Sequence, residues 1–283
     1  MPLWLFDWII KVEHWYGDGV KRQSRLETLQ DIIAQANSIT IKDLADRMSV
    51  SVMTIRRDME ILESTGVVRS YRGGVVVSER NNRLPGSMRY SLTSAETANV
   101  EKKRAIAKKA AALIGDGDVV FFDAGSTVEL ILEYINPDLE MTVLCYSLNV
   151  LNLVANRKNV KIIFSGGVYH PDSQNFESPE GLQLLERNRS SKAFISANGI
   201  RADLGVTSSG QFETPIKRAV IENSAQSYLV VDSSKCGLVR TGHFADVDDF
   251  TSIITDWNLE DKMKDELAES GASVMIATET ILT

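Results

Sequence analysis

The sequence predicts an α/β protein in two unequal parts. A small N-terminal head of short helices ends in a hairpin, and a larger body is built on a mainly parallel, doubly wound sheet. Three observations predict this. A chain of 283 residues is long for one minimal domain and suits two. Arginines collect in one short segment of an otherwise acidic chain. From residue 119 onward, short apolar runs ending in small or polar residues alternate with helical patterns, as parallel strands covered on both faces do.

Hydrophobic residues make up 43% of the chain and charged residues 24%, enough for a real core in a soluble protein. The net charge is -7, unevenly spread: residues 21–74 hold 9 Lys+Arg against 7 Asp+Glu, and residues 95–283 hold 18 against 27. A weakly basic head on an acidic body confines contact with a polyanion to the head. Two distant cysteines, Cys145 and Cys236, argue against a disulfide scaffold and for a reducing cytoplasm. Three scattered histidines, His14, His170 and His243, make no zinc pattern, so no metal and no cofactor is expected.

The first twenty residues, "MPLWLFDWIIKVEHWYGDGV", form an atypical extension. The apolar run is broken by Asp7, lacks the features of a signal peptide and is too short to span a bilayer, so no membrane partner is expected. It reads either as a misplaced start, with Val20 as the true first codon, or as an aromatic arm packing on a partner. N-terminal sequencing of protein made from the native gene separates the two.

The head spans residues 21–77. Leu26, Leu29, Ile32 and Ile33 recur at helical spacing. Thr40 with Asp43 three residues later resembles a capping pair opening a second short helix, "IKDLADRM". Ser51 then caps a third helix with an expected buried stripe of Val52, Ile55, Met59 and Leu62. Its opposite face carries Thr54, Arg56 and Arg57, with Met53 beside them. After Gly66, "VVRSYRGGVVV" alternates like a strand, turns at Gly73–Gly74 and forms a wing carrying Arg69 and Arg72. A tight turn between two helices, the second bearing arginines on its free face, is the winged helix-turn-helix that enters a major groove of double-stranded DNA. Ser51, Met53, Thr54, Arg56 and Arg57 would reach bases and phosphates there, and Arg69 and Arg72 the backbone. Arginines opposite an apolar stripe are commonly just a solvated face; the ordered run of two short helices, capped turn and basic hairpin favours DNA.

Residues 78–100 are polar, with Pro85–Gly86, and read as a linker to the body at 101–283. The body opens with the alanine-rich helix "EKKRAIAKKAAALIGDGD". Six strands follow in "VVFFDAGST", "MTVLCYSLN", "VKIIFSGG", "KAFISANG", "SYLVVDSSK" and "SIITD". Ligands of such folds bind beyond the carboxyl ends of the strands. In "DAGST", Gly125 permits close backbone approach, and the amides at Ser126 and Thr127 point at an anion on a helix N-terminus. A phosphate suits that place, although Ser126 with Glu129 equally fits a plain capping box. Lys103, Lys217 and Lys235 flank strand ends or helix starts as phosphate or hydroxyl partners; each alone is more commonly a surface lysine. Asp123, Asn149 and Glu213 offer hydrogen bonds to sugar hydroxyls, and a strand-end Asp or Asn is often only a turn former.

These stretches carry a resemblance. "LQDIIAQANSITIKDLADRMSVSVMTIRRDMEILESTGVVRSYRGG" resembles the N-terminal module of the DeoR-type bacterial sugar-responsive repressors, with Met59 where leucine is usual. "KRAIAKKAA", "FFDAGSTVE", "SGG" (Gly166 and Gly167), "DSSK" and "ITD" resemble the family's effector domain, so the likeness covers roughly residues 22–277. It implies a fold related to sugar-phosphate isomerases and relief of repression by a phosphorylated sugar. "CYSLN", "SANGI" with "LGVT", and "ETPIKRAVIENS" resemble the deoxyribose-responsive branch, which implies deoxyribose 5-phosphate; "HPDSQNFESPEG" resembles that branch only loosely.

The isomerase relationship raises an enzyme reading, carboxylate-assisted proton transfer. Ribose-phosphate isomerases carry an acid pair where this chain has Asn198 and Gly199, and a glutamate where it has Ile216. Neither Asn nor Ile shuttles a proton, so a binding site without chemistry is expected. A purely architectural DNA-binding protein has no use for so large a body. Separated half-sites call for a homo-oligomer, dimer or higher.

Overall fold

The chain divides into two units, Met1–Met88 and Arg89–Thr283. The computed structural model describes residues 25–26, 28–30, 32–33, 38–64, 68–71, 74–77 and 98–279. The expected extension at 1–20, most of the 78–100 linker, and Arg72 lie outside the described residues.

In the first unit, α1 (residues 25–33) is helical at every described position and buries Leu26, Leu29 and Ile33. The strand β1 (Ser38–Thr40) leads directly into α2 (Ile41–Met48). The expected cap forms there: the Asp43 amide donates to Thr40 Oγ1 at 3.0 Å, giving one orphan donor of the first turn a partner. Ser49 adopts the left-handed conformation (φ 52°) that ends α2, and three residues later α3 (Val52–Ser64) begins. Its cap is Ser51, whose Oγ accepts from the Thr54 amide at 3.1 Å.

The α3 stripe departs from expectation twice. Val52 is 41% exposed, because the first turn projects beyond the core that Ile55, Met59 and Leu62 enter. Asp58 is buried among them, held by Arg25 through Nε–Oδ2 at 2.6 Å and Nη2–Oδ1 at 3.1 Å. The wing is the antiparallel pair β2 (Val68–Tyr71) and β3 (Gly74–Val77), and β1 joins it in the order β1-β3-β2. Gly74 pairs with Tyr71 and so stands in β3 rather than in the turn. It must be glycine: a Cβ there would lie 2.3 Å from the Tyr71 hydroxyl oxygen and 2.7 Å from the Ile39 carbonyl oxygen.

The second unit begins with α4 (Val100–Ala111), so Val100, expected at the end of the linker, is already helical. In order follow β4 (Val119–Phe122), α5 (Ser126–Tyr134), β5 (Met141–Cys145), α6 (Leu148–Val154) and β6 (Val160–Phe164). The hairpin β7 (Val168–His170) and β8 (Asn175–Glu177) precedes α7 (Pro179–Arg187) and β9 (Ser190–Ile195). Next come β10 (Gly199–Arg201), β11 (Gly205–Ser208), α8 (Glu213–Asn223) and β12 (Ser224–Val230). The unit closes with β13 (Gly242–Ala245), β14 (Ser252–Asp256), α9 (Asp261–Glu269) and β15 (Val274–Ala277).

Seven strands form one parallel sheet in the order β15-β14-β12-β9-β4-β5-β6. The expected doubly wound fold is therefore present, and all six anticipated strands belong to it. Alternate residues feed two cores. Val120, Phe122, Val143 and Phe194 join one face with the apolar sides of α4, α5 and α6; Phe121, Leu144, Ala193 and Ile195 join the other with α7, α8 and α9. This two-sided burial is why the strands read as unbroken apolar runs. The seventh strand, β15, was not anticipated, nor were the antiparallel sheet β10-β11-β13 and the β7–β8 hairpin, all built from three- or four-residue strands.

The connectivity fixes where a cleft can open. From β4 the chain winds outward through β5 and β6, then restarts at β9 on the other side of β4 and winds outward through β12, β14 and β15. The carboxyl ends of β4 and β9 are thus the topological switch point, where departing connections leave a crevice. Among the described residues no helix is long and apolar enough to cross a membrane.

Candidate nucleic-acid interface and ligand cleft

On the head, α3 turns Ile55, Met59 and Leu62 inward, which puts Arg56 and Arg57 on its exposed face. Met53 beside them is 56% exposed, a large apolar side chain held in water by the helix that carries it. Ser51 is exposed and Thr54 half-buried, and their hydroxyls lie 2.9 Å apart. Ser51 therefore works first as the helix cap. Arg69 is exposed on β2, whose neighbour Ser70 donates its amide and hydroxyl to the Glu63 carboxylate at 3.0 and 2.9 Å. That bracket ties the wing strand to the last turns of α3. Arg56, Arg57 and Arg69 are thus exposed on α3 and β2, and Arg72 lies outside the described residues.

In the body a cleft with about 630 Å³ of empty space, partly open to solvent, lies at the switch point. Six expected residues line it: Lys103 from α4, Gly125, Ser126 and Thr127 at the start of α5, Glu213 at the start of α8, and Lys235 after β12. Gly125 is the N-cap of α5, with φ 140° and no side-chain cap, and a Cβ on it would stand 3.1 Å from Ser196 Cβ and Oγ. The alternative capping box does not form: Ser126 is already helical, and the Glu129 carboxylate accepts from the Asn149 side-chain amide. The first turn of α5 is thus presented to the cleft, its amides and positive dipole end unmatched by a capping side chain.

The remaining expected residues stand elsewhere. Asp123 and Lys217 are buried under the cleft and paired with each other. Asp123 Oδ1 accepts from the Tyr146 hydroxyl at 2.6 Å, and Oδ2 from the Ser196 amide and hydroxyl at 2.7 and 2.9 Å. Lys217 Nζ also donates to the Ser196 carbonyl at 3.1 Å and lies 5.3 Å from the centre of the Phe244 ring. Both form the floor that positions Ser196 and the Gly125 turn, and their polar atoms are engaged with protein. Asn149 joins α6 to α5 away from the cleft lining. Gly166 and Gly167 also lie outside the lining; both have positive φ, and a Cβ on Gly167 would meet the Glu177 carbonyl oxygen at 2.3 Å. The close approach of the Glu177 carbonyl requires glycine at 167.

The electrostatics follow from burial. Burial pushes the Glu213 carboxyl above its usual range and the charge of Asp123 adds to this, against the opposing pull of Lys217 and of hydrogen bonds from Ser208 and Asn175. Burial, with the charges of Asp123 and Glu213, likewise raises the Tyr146 phenol, so it stays a donor to Asp123.

Several cleft residues were not singled out from the sequence as ligand contacts. Ser196, Asn198 and Asp232 sit directly after strands, in "ISANG" and "VVDSSK", a position that marks them. Asn99 and Ser173 carry no such signal and reach the cleft from a helix start and a hairpin turn. Asn99 Nδ2 lies 3.2 Å from both Asp232 Oδ1 and Ser234 Oγ, and Lys102 Nζ donates to Ser233 Oγ at 3.0 Å. The first described turn after the linker is therefore fastened to the segment that carries Lys235. Among the described residues no group of three or more His, Cys, Asp or Glu side chains is placed to hold a metal ion.

Comparison with known proteins gives the two parts separate matches. Residues 25–81 match the DeoR-like helix-turn-helix domain, and residues 98–257 match the DeoR C terminal sensor domain. An uncharacterized HTH-type transcriptional regulator, YulB of Bacillus subtilis, is 33% identical over 83% of this chain and 89% of its own. The lactose phosphotransferase system repressor of Streptococcus mutans is 30% identical over 87% of this chain and 96% of its own. The deoxyribose operon repressor of Escherichia coli is 31% identical over 86% and 93%. Among solved structures, ribose 5-phosphate isomerase A of Methanocaldococcus jannaschii aligns at a TM-score of 0.38 and 19% identity over 49% of this chain and 55% of that one.

Proposed function

The chain belongs to the DeoR family of helix-turn-helix regulators with a C-terminal sensor domain, and from that premise we propose that it represses a sugar or nucleoside catabolic operon and is released by a phosphorylated sugar. The observation that carries the effector half is the cleft at the switch point, where the uncapped start of α5 meets Lys103 and Lys235. Exposed amides at a helix start bind phosphate oxygens, and two ammonium groups supply the matching charge. Glu213, Asn198 and Ser196 add neutral or acidic hydrogen-bonding groups suited to hydroxyls.

Asp123 and Lys217 act beneath the site, holding its floor. Catalysis has no base of the isomerase kind at the strand end: Asn198 stands there, its Oδ1 accepting from the Ser209 amide at 2.9 Å. Glu213 is engaged by Ser208 and Asn175, and Ile216 is buried. Turnover of ribose 5-phosphate by the purified chain would overturn the non-enzymatic reading.

Deoxyribose 5-phosphate leads the effector candidates. The deoxyribose and lactose repressors match this chain about equally, so the test spans pentose, hexose and polyol phosphates. Duplexes are first selected from a random library with the full chain; their binding is then titrated in the presence of each compound. One compound weakens DNA binding roughly 5–150-fold, the range of ordinary allosteric couplings. Lys235→Ala and Lys103→Ala bind DNA normally and ignore that compound. Failure to enrich any duplex removes the operator, and indifference to every sugar phosphate removes the effector.

A further inference from the structure

Ser173 stands in the turn between β7 and β8, more than nine-tenths buried yet lining the cleft. Its Oγ has no hydrogen-bond partner among the described residues. The turn itself is firmly seated. The Leu148 amide donates to the Gln174 carbonyl at 2.8 Å and the Phe176 amide to the Tyr146 carbonyl at 2.9 Å, which anchors the hairpin over the carboxyl end of β5. His170 stacks on Phe212, just before α8, with ring centres 3.9 Å apart. Behind Ser173, Asn175 donates to Glu213 at 3.0 Å, while its own Oδ1 also lacks a partner. Buried polar atoms in proteins are almost always hydrogen-bonded, so a rigidly placed, unpartnered hydroxyl in a cleft wall points to a ligand atom.

Its location decides which atom. In the strand order β12-β9-β4-β5, Lys235 follows β12 and the hairpin sits over β5. Three strand spacings, about 14 Å, separate those two ends. The cationic flank and the Ser173 flank thus face each other across the α5 start. A neutral hydroxyl suits a sugar hydroxyl better than a phosphate.

We propose that the β7–β8 turn is the sugar-reading element of the cleft, with the Ser173 hydroxyl bonding a hydroxyl of a phosphorylated sugar whose phosphate lies at the start of α5. This rests on the effector reading above. It assigns discrimination among sugar phosphates to residues 171–174, and phosphate capture to Lys103 and Lys235.

The test uses the full chain and two probes, inorganic phosphate and the sugar phosphate that binds best in the panel above. Ser173→Ala weakens the sugar phosphate roughly tenfold, the worth of one buried hydrogen bond, and leaves inorganic phosphate unchanged. Lys103→Ala weakens both. The melting temperature of unliganded Ser173→Ala is equal to or above that of the wild type, because the removed hydroxyl bonds nothing among the described residues. Unchanged sugar-phosphate affinity in Ser173→Ala, or equal loss of both probes with a lower unliganded melting temperature, overturns the proposal while the effector reading stands. A wild-type chain that binds neither inorganic phosphate nor any sugar phosphate overturns both.

Discussion

Arg25 and Asp58 decide more of the head than their places in the sequence suggest. Asp58 is 1% exposed and receives two hydrogen bonds from a guanidinium that is itself 23% exposed. Removing Arg25 leaves a buried carboxylate without that partner. Arg25→Ala is expected to destabilise the head by about 2 kcal/mol, below the 3–5 kcal/mol of a fully buried pair because Arg25 keeps some water; pulse proteolysis in urea measures it. In the body, Asp118 accepts from Lys192 at 2.6 Å and from Ser191 at 2.7 Å. Burial would raise its carboxyl, but Lys192, the Gly115 amide and Ser191 together lower it below the usual 3.8. A lowered folded-state value means the unfolded chain takes up the proton first. The stabilisation is therefore present above the usual carboxylate range and is lost as pH falls through the folded-state value. Asp118→Asn lowers the melting temperature at pH 7, and its deficit relative to the wild type narrows as pH approaches 3.

At the scale of elements, the turn between β4 and α5 shows how backbone geometry makes a binding surface. Gly125, at φ 140°, lets α5 start without a side-chain cap and brings its backbone against Ser196. An alanine there is strained by about 1–3 kcal/mol, and its Cβ presses on the Ser196 hydroxyl, whose one proton lies within reach of both Asp123 Oδ2 and the Ala124 carbonyl oxygen. Gly125→Ala is expected to lower the melting temperature and to weaken sugar-phosphate binding more than it weakens DNA binding; calorimetry and anisotropy read the two losses separately. In the head, the Ser49 reversal and the Ser51 cap aim α3, and the Ser70–Glu63 bracket fixes its wing. All of these are local devices, so "ITIKD", "SVSVMT" and "DAGST" display most of them. The Glu63 bracket is a contact seven residues apart and has no such mark.

For the whole molecule, the proposed function requires a linkage between groove binding and cleft occupancy. A ligand shifts DNA affinity only by as much as it prefers one arrangement of the protein over another. The fastening of Asn99 and Lys102 to residues 232–234 gives the segment after the linker a direct contact with the cleft wall. DNA binding itself is expected to weaken steeply with salt as arginines release phosphate counterions. Arg57→Ala costs about 1–3 kcal/mol on selected duplexes and spares unrelated ones if it reads a base, whereas a uniform loss with a salt slope smaller by about one marks a phosphate contact.

The sequence by itself determined the two-part organisation, the helix-turn-helix and wing, the six main strands, and the Gly125 turn. These are readable because periodicity, caps and glycine turns act over a few residues. Only the tertiary structure decided that Asp123 and Lys217 pair with each other in the floor, that Asn149 and the two glycines at 166 and 167 lie outside the cleft lining, and that Asn99, Ser173, Lys103 and Lys235 line it. Those outcomes depend on strand order: Asp123 and Lys217, 94 positions apart, meet only when β4 and β9 become neighbours and α8 packs behind them. A lysine next to a strand end looks the same in the sequence whether it lines a cleft, as Lys103 does at 3% exposure, or pairs with a carboxylate outside the lining, as Lys217 does at 1%; the neighbours that strand order brings to it make the choice.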